Sequence, residues 1–167
     1  MIIKTFLHLD YCIVIMQVFI FPPYRMRRLI AIIILSIIAI VNAWYLTYKA
    51  YCISIDPTMQ RGVCDINAQW SCSDVLAHPA AYIAGIPFPA IALLVYPILL
   101  IIAVLGYRRR ITRHRDALRY LAVGWILFNS YFIYQEAFTI GSYCPLCLIC
   151  SGIILTIAIL SRLPKSS

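Results

Sequence analysis

The sequence predicts an all-α integral membrane protein: a four-transmembrane-helix bundle with an outer loop that carries a short interfacial helix. Three observations lead there. The 167-residue chain is 63% hydrophobic and only 12% charged, with a mean hydropathy of +0.90, outside the range of soluble domains. Its apolar residues fall in blocks of about 20, the length that crosses roughly 30 Å of hydrocarbon at 1.5 Å per residue. Its basic residues gather between those blocks.

The elements follow in order. Residues 1–24 form an N-terminal extension. Within it, Cys12 to Phe21 is apolar but too short to span, Pro22-Pro23 ends the run, and no small-residue cleavage site follows. It reads as an interfacial helix, unless translation starts at Met16 or Met26 instead of Met1. Residues 25–167 form one four-helix membrane domain, with spans at about 29–48, 86–107, 120–140 and 144–163. All four must be helices, because lipid offers no hydrogen-bond partner to an open strand edge.

The net charge of +8 does not make a nucleic-acid patch. Arg25, Arg27 and Arg28 precede the first span. Arg108, Arg109, Arg110, Arg113, Arg115 and Arg119 fill the connection between the second and third, and Arg162 and Lys165 follow the fourth. With four spans these groups share one side, so the positive-inside rule makes both termini and the arginine loop cytoplasmic. The outer loop at 50–85 and the short turn at Gly141 then face the periplasm or its equivalent. Six of the seven cysteines lie in or near those outer segments: Cys52, Cys64, Cys72, Cys144, Cys147 and Cys150. That is the oxidising side, where disulfides persist.

The stretch "SYCPLCLIC" opens the last span. Pro145 suits the first helical position, where its missing N–H would be unpaired anyway, so Cys144 is expected to cap the helix. A sulfur there meets free backbone N–H groups and the positive end of the helix dipole, which favours a thiolate. Cys147 shares the helix face and can close a small disulfide ring with Cys144. A metal site uses the same spacing, but no histidine lies near in sequence, and a thiolate cluster in hydrocarbon is costly. Redox use is favoured over a metal or a purely structural role. Cys150, about 120° further round the helix, reads as a small buried hydrophobe.

A second pair, Cys64 and Cys72, flanks a short polar segment, "CDINAQWSC". It can act as a mobile dithiol that exchanges with Cys144, or as a static disulfide pinning the loop. Downstream, "SCSDVLAHPAAYIAGIP" predicts a short half-polar helix, with Val75, Leu76, Ala80 and Ile83 near helical spacing. It would lie over the outer mouth of the bundle, where cofactor sites form.

Together these motifs resemble a known family. Cys64-Asp65, then Ser71-Cys72-Ser73 with Val75-Leu76, then Gly85-Ile86-Pro87, and finally Tyr143-Cys144-x-x-Cys147 are similar to the vitamin K epoxide reductase (VKOR) family, over about Arg25 to Leu163. Specifically, the chain resembles the bacterial homologues. The resemblance implies a quinone-dependent thiol–disulfide oxidoreductase of the bacterial inner membrane, using ubiquinone or menaquinone. Cys64 and Cys72 match the loop shuttle cysteines, and Cys144 and Cys147 the active-site pair, each pair forming a disulfide (Cys64–Cys72, Cys144–Cys147). By that analogy Cys64 exchanges with the partner, Cys72 reduces the inner pair through Cys144, and Cys147 faces the quinone. The partner implied is a separate periplasmic thioredoxin-fold, DsbA-like protein, since the sequence ends at Ser167 with no thioredoxin-like domain after the spans.

Two positions depart from the family pattern. Serine or threonine is usual six residues after the second loop cysteine, where this chain has His78. It is expected either to bind a quinone oxygen or to sit at the interface. Ala92 stands where a glycine is common, a change in helix packing. The DsbB type of quinone-coupled disulfide generator carries its Cys-x-x-Cys in the first outer loop, and the order of the pairs here is the reverse. A non-enzymatic membrane protein with structural disulfides or a thiolate metal site is the alternative from another class.

Overall fold

The computed structural model describes residues 24–56, 62–110 and 113–162. The N-terminal extension therefore lies outside the described residues. Four long helices form a closed ring. Helix α1 (Tyr24–Ile55) packs on α3 (Phe88–Tyr107) and α5 (Pro145–Arg162), and α4 (His114–Gln135) packs on the same two. Three are long and apolar enough to cross a membrane, counted as Met26–Ile55, Phe88–Tyr107 and Pro145–Arg162. The fourth, α4, is 22 residues long, but Arg115, Asp116 and Arg119 in its first turns and Asn129, Ser130 and Gln135 later dilute its apolar character.

The helices bury small residues against one another and turn large ones outward. Ser36, Ala39 and Ala43 on α1 and Ala92 and Ala103 on α3 are buried, and small residues of this kind let the two packed helices approach as membrane helices do. Ala92 is buried in this core. Ile34, Ile37, Ile38, Val41, Leu94, Ile98, Ile101, Leu127, Leu155 and Ile159 are exposed, an apolar belt that only lipid would cover.

Helix α1 is longer than the expected span. Its 32 residues extend about 48 Å at 1.5 Å each, so the outer loop expected from residue 50 begins only after Ile55. Asp56 closes the last turn through its N–H to the Cys52 carbonyl. The added turns carry Lys49, Ala50 and Ile53 and form one wall of a second core, with Leu46, Cys64, Cys72, Val75, Leu76, Cys144 and Cys147.

The short outer helix is shorter than expected. Helix α2 covers only Cys72–Ala77. Pro79 forces His78 into an extended conformation (φ −78°, ψ 135°), which ends the helix. A 3₁₀ turn (Pro79–Ala81) follows, then a two-stranded hairpin of β1 (Tyr82–Ile83) and β2 (Ile86–Pro87). Its Ala84-Gly85 loop has positive φ at both residues, the geometry that matches the twist of paired strands. Val75 and Leu76 are buried, but Ile83, read as part of the helix's apolar face, is exposed on the hairpin.

At the opposite end, α3 and α4 approach closely. A Cβ on Gly106 would stand 2.6 Å from Cγ of the buried His114 ring. Gly106→Ala should therefore destabilise the bundle by about 1–3 kcal/mol, the usual cost of overpacking. Thermal unfolding in detergent checks this, and an unchanged midpoint would show that His114 yields freely.

Candidate functional site

The loop and the last helix are laced together by backbone. A parallel bridge joins Trp70 to Tyr143: Ser71 N–H donates to the Tyr143 carbonyl at 3.1 Å, and Tyr143 N–H to the Gln69 carbonyl at 2.8 Å. Ser142 Oγ donates to the Ala68 carbonyl, and the Trp70 and Tyr143 rings pack with centroids 5.6 Å apart. The Asn67 side chain accepts from Gln69 and Trp70 N–H and shapes the turn. Each strand of the bridge then enters a helix, which brings Cys72 and Cys144 face to face.

Cys64 and Cys72 are joined by a disulfide, with Cα atoms 5.7 Å apart. Cys144 and Cys147 are thiols. The Cys144 sulfur lies 3.2 Å from the Cys72 sulfur, and both residues are fully buried. Cys144 directly precedes α5, its carbonyl accepts from Leu148 N–H, and its sulfur accepts from Cys147 N–H at 3.3 Å. That is the geometry of a helix cap, with sulfur in place of the usual side-chain oxygen. No swing of the loop is needed for contact between the two pairs.

One carboxylate holds the loop under the site. Asp65 Oδ1 accepts from Ser73 N–H at 2.8 Å and Ser71 Oγ at 3.1 Å. Its Oδ2 accepts from Lys49 Nζ at 2.5 Å, Gly62 N–H at 2.6 Å and Ser73 Oγ at 2.8 Å. Ser71 in turn caps α2 by accepting from Asp74 N–H. The Lys49 ammonium is buried and also lies 3.7 Å from the Cys64 sulfur.

On the other side of Cys147 are two narrow cavities of about 10 Å³ each, room for one water-sized sphere apiece. Phe88, Pro89 and Cys147 line both. One continues to Phe132, Gln135 and Glu136, the other to Trp125, Asn129 and Cys150. The Phe88 ring lies between Phe132 (centroids 3.8 Å) and Trp125 (5.5 Å, planes 4° apart). The lining is apolar and aromatic with a few polar groups, and as packed here neither cavity admits a ring.

The structure thus brings together Cys64, Cys72, Cys144 and Cys147. His78 lies at the junction of α2 and the 3₁₀ turn, where its Nδ1 accepts Ala80 N–H at 3.1 Å. Its ring is not among the residues lining the two cavities, although Ala80 is. Cys150 accepts a hydrogen bond from Asn42 Nδ2, and its carbonyl accepts one from Tyr96. Cys52 is a half-buried thiol on α1. Sequence reading missed Lys49, Asp65 and Glu136 as parts of the site. The signal for Glu136 was available: an acidic residue in an expected span needs a reason.

Burial opposes ionisation of Asp65, but the donors from Lys49, Ser73 and Gly62 outweigh it and hold the carboxyl well below the usual carboxylate range. Its stabilisation of the loop is therefore present above the unfolded value of about 4 and is lost as pH falls below it. Asp65→Asn should weaken loop closure by about 2 kcal/mol, near thirtyfold, the scale of a lost charge-assisted bond. Amide exchange of Gly62 and Ser73 at neutral pH, corrected for intrinsic rates, checks this. Unchanged protection would show that the disulfide and the Trp70–Tyr143 bridge suffice.

Residues 30–162 match the sequence model of the Vitamin K epoxide reductase family. No curated protein matches the chain at a significant level. The match covers most of α1, all of α3, α4 and α5, the loop disulfide and the thiol pair that opens α5. With most of its length matched and its cysteines gathered at one end of a helical membrane bundle, the chain belongs to the vitamin K epoxide reductase family.

Proposed function

We propose that this protein is a membrane thiol:quinone oxidoreductase that supports disulfide formation. It would oxidise a separate periplasmic thioredoxin-fold, DsbA-like partner and pass the electrons to ubiquinone or menaquinone. The observation that carries this reading is the 3.2 Å approach of the Cys144 thiol to the Cys72 half of a disulfide. A static structural disulfide has no need of a buried free thiol at attacking distance. Exchange between the two pairs does need it.

The steps balance as follows. A partner thiolate attacks Cys64, and Cys72 leaves as a thiolate. Cys72 attacks Cys144 of an oxidised Cys144–Cys147 pair, and Cys147 leaves as a thiolate. Cys64, freed when the partner's second thiol completes the partner disulfide, then attacks Cys72 and releases Cys144. The loop is again oxidised and the inner pair holds two electrons, the arrangement of sulfurs seen here. The inner dithiol reduces the quinone and its disulfide re-forms. Lys49, beside Cys64, favours the thiolate when that sulfur leaves the partner. Because Cys64 is only 5% exposed, partner access requires the Lys49–Asp65 clasp to open.

The quinone ring would enter beside Cys147 by displacing the Phe88 side chain from between Phe132 and Trp125. His78 would serve that site by fixing Ala80 in its wall. In this reading α4 is a fourth span, both termini and the arginine connection are cytoplasmic, and the cysteines face the periplasm of a bacterial inner membrane. The placement of eleven of the fourteen basic residues on one side supports that orientation.

Thiol trapping of the purified protein tests the relay. Reduced Cys144 and Cys147 should be reoxidised on adding quinone, and Cys144→Ala should abolish this. Cys147→Ala should accumulate a Cys72–Cys144 cross-link, because Cys144 then has no internal partner. If peptide mapping of that variant finds only Cys64–Cys72, the proposed order of transfer is wrong. Bound zinc with no quinone-dependent reoxidation would favour the non-enzymatic reading instead.

A further inference from the structure

Glu136 opens a π turn (Glu136–Ile140) that closes α4, and it is only 3% exposed. The turn is wide because Gly141, at φ +74°, donates its N–H to the Glu136 carbonyl five residues back. Glu136 Oε2 accepts the Cys144 N–H at 3.1 Å, and Glu136 and Cys147 line the same narrow cavity, which has room for one water-sized sphere. The same carboxylate lines the cavity that runs past Cys147 to the stacked Phe88 and Phe132 rings. Among the residues lining the two cavities at Cys147 it is the one acidic group.

A purely structural role explains only one of these contacts. Capping Cys144 N–H needs an acceptor, and a glutamine or a carbonyl would supply it without placing an acid in an apolar interior. A carboxylate that holds the Cys144 backbone and shares a cavity with the Cys147 thiol is placed for a second use. The thiolate, not the thiol, is the reductant, and the buried Cys147 has no bulk water to take its proton.

We infer that Glu136 is a catalytic base that takes the proton of the Cys147 thiol and hands it to a quinone oxygen. This rests on the redox reading above. In the full step the Cys144 and Cys147 S–H bonds break, the S–S bond forms, and two electrons pass to the quinone. The two protons end on its two oxygens as hydroquinone, and Glu136 carries the one from Cys147 and returns to its starting state.

The test uses the full-length, pre-reduced protein in detergent with a short-chain ubiquinone or menaquinone analogue, followed by stopped-flow thiol trapping. A second arm measures exchange of the loop disulfide with dithiothreitol. Glu136→Gln keeps an acceptor for Cys144 N–H but cannot take a proton, so quinone-dependent reoxidation should slow about a hundredfold, the usual scale for a general base. Loop exchange should be unchanged, and Glu136→Asp should stay within about tenfold of the parent rate. If the parent protein is not reoxidised, the redox reading itself falls. If the parent reacts and Glu136→Gln keeps pace with it, this inference alone falls. Loss of loop exchange in Glu136→Gln, or Glu136→Asp as slow as Glu136→Gln, would assign the residue a structural role and overturn it too.

Discussion

The site depends on one short backbone contact, the parallel bridge between Trp70 and Tyr143. Its two strands are 73 positions apart in sequence, yet each runs directly from the bridge into a helix, one entering α2 at Cys72 and the other α5 at Pro145. Cys144 sits next to the bridge and Cys72 two residues past it. Their sulfur contact follows from the register, not from a specific attraction between the side chains. Closing so long a loop costs entropy that two hydrogen bonds cannot offset alone. The remainder comes from burying Val75, Leu76 and the cysteines against α1, whose added turns provide the wall.

Polar and apolar forces divide the work. In the lipid-facing part the helices gain little from hydrophobicity, so small residues and close backbones hold α1 to α3. Above it, the loop is short, polar and without regular structure. It stays in place because Asp65 gathers five donors from Lys49, Gly62, Ser71 and Ser73. A buried carboxylate would normally be a liability. Here it satisfies the N–H groups that a loop must otherwise leave unpaired.

Much of the architecture was legible because lipid permits few solutions. Apolar blocks of sufficient length placed α3 and α5 to within two residues at either end and located the middle of α1. The fit was poorer where the chain leaves hydrocarbon. The first span is expected to end near residue 48, but the Lys49 ammonium finds Asp65 and the helix continues to Ile55. The outer helix was drawn too long because periodicity in Val75, Leu76, Ala80 and Ile83 outweighed Pro79, whose local geometry decides the matter. The polar segment between Cys64 and Cys72 read as a free loop because its partners, Tyr143 and Lys49, are distant in sequence.

The sequence alone determined the membrane class and the membership of the VKOR family, because hydropathy, charge placement and motif spacing are local properties. It identified Cys144 as a helix cap from Pro145 alone, and the geometry at Cys147 N–H has that form. Only the tertiary structure decided that the loop disulfide touches the inner thiol, that Lys49 and Asp65 clasp the loop, and that Glu136 holds the Cys144 N–H. Those contacts join residues from 8 to 72 positions apart. No local pattern encodes them, because each exists only once four helices have packed and a β-bridge has set the register between their ends.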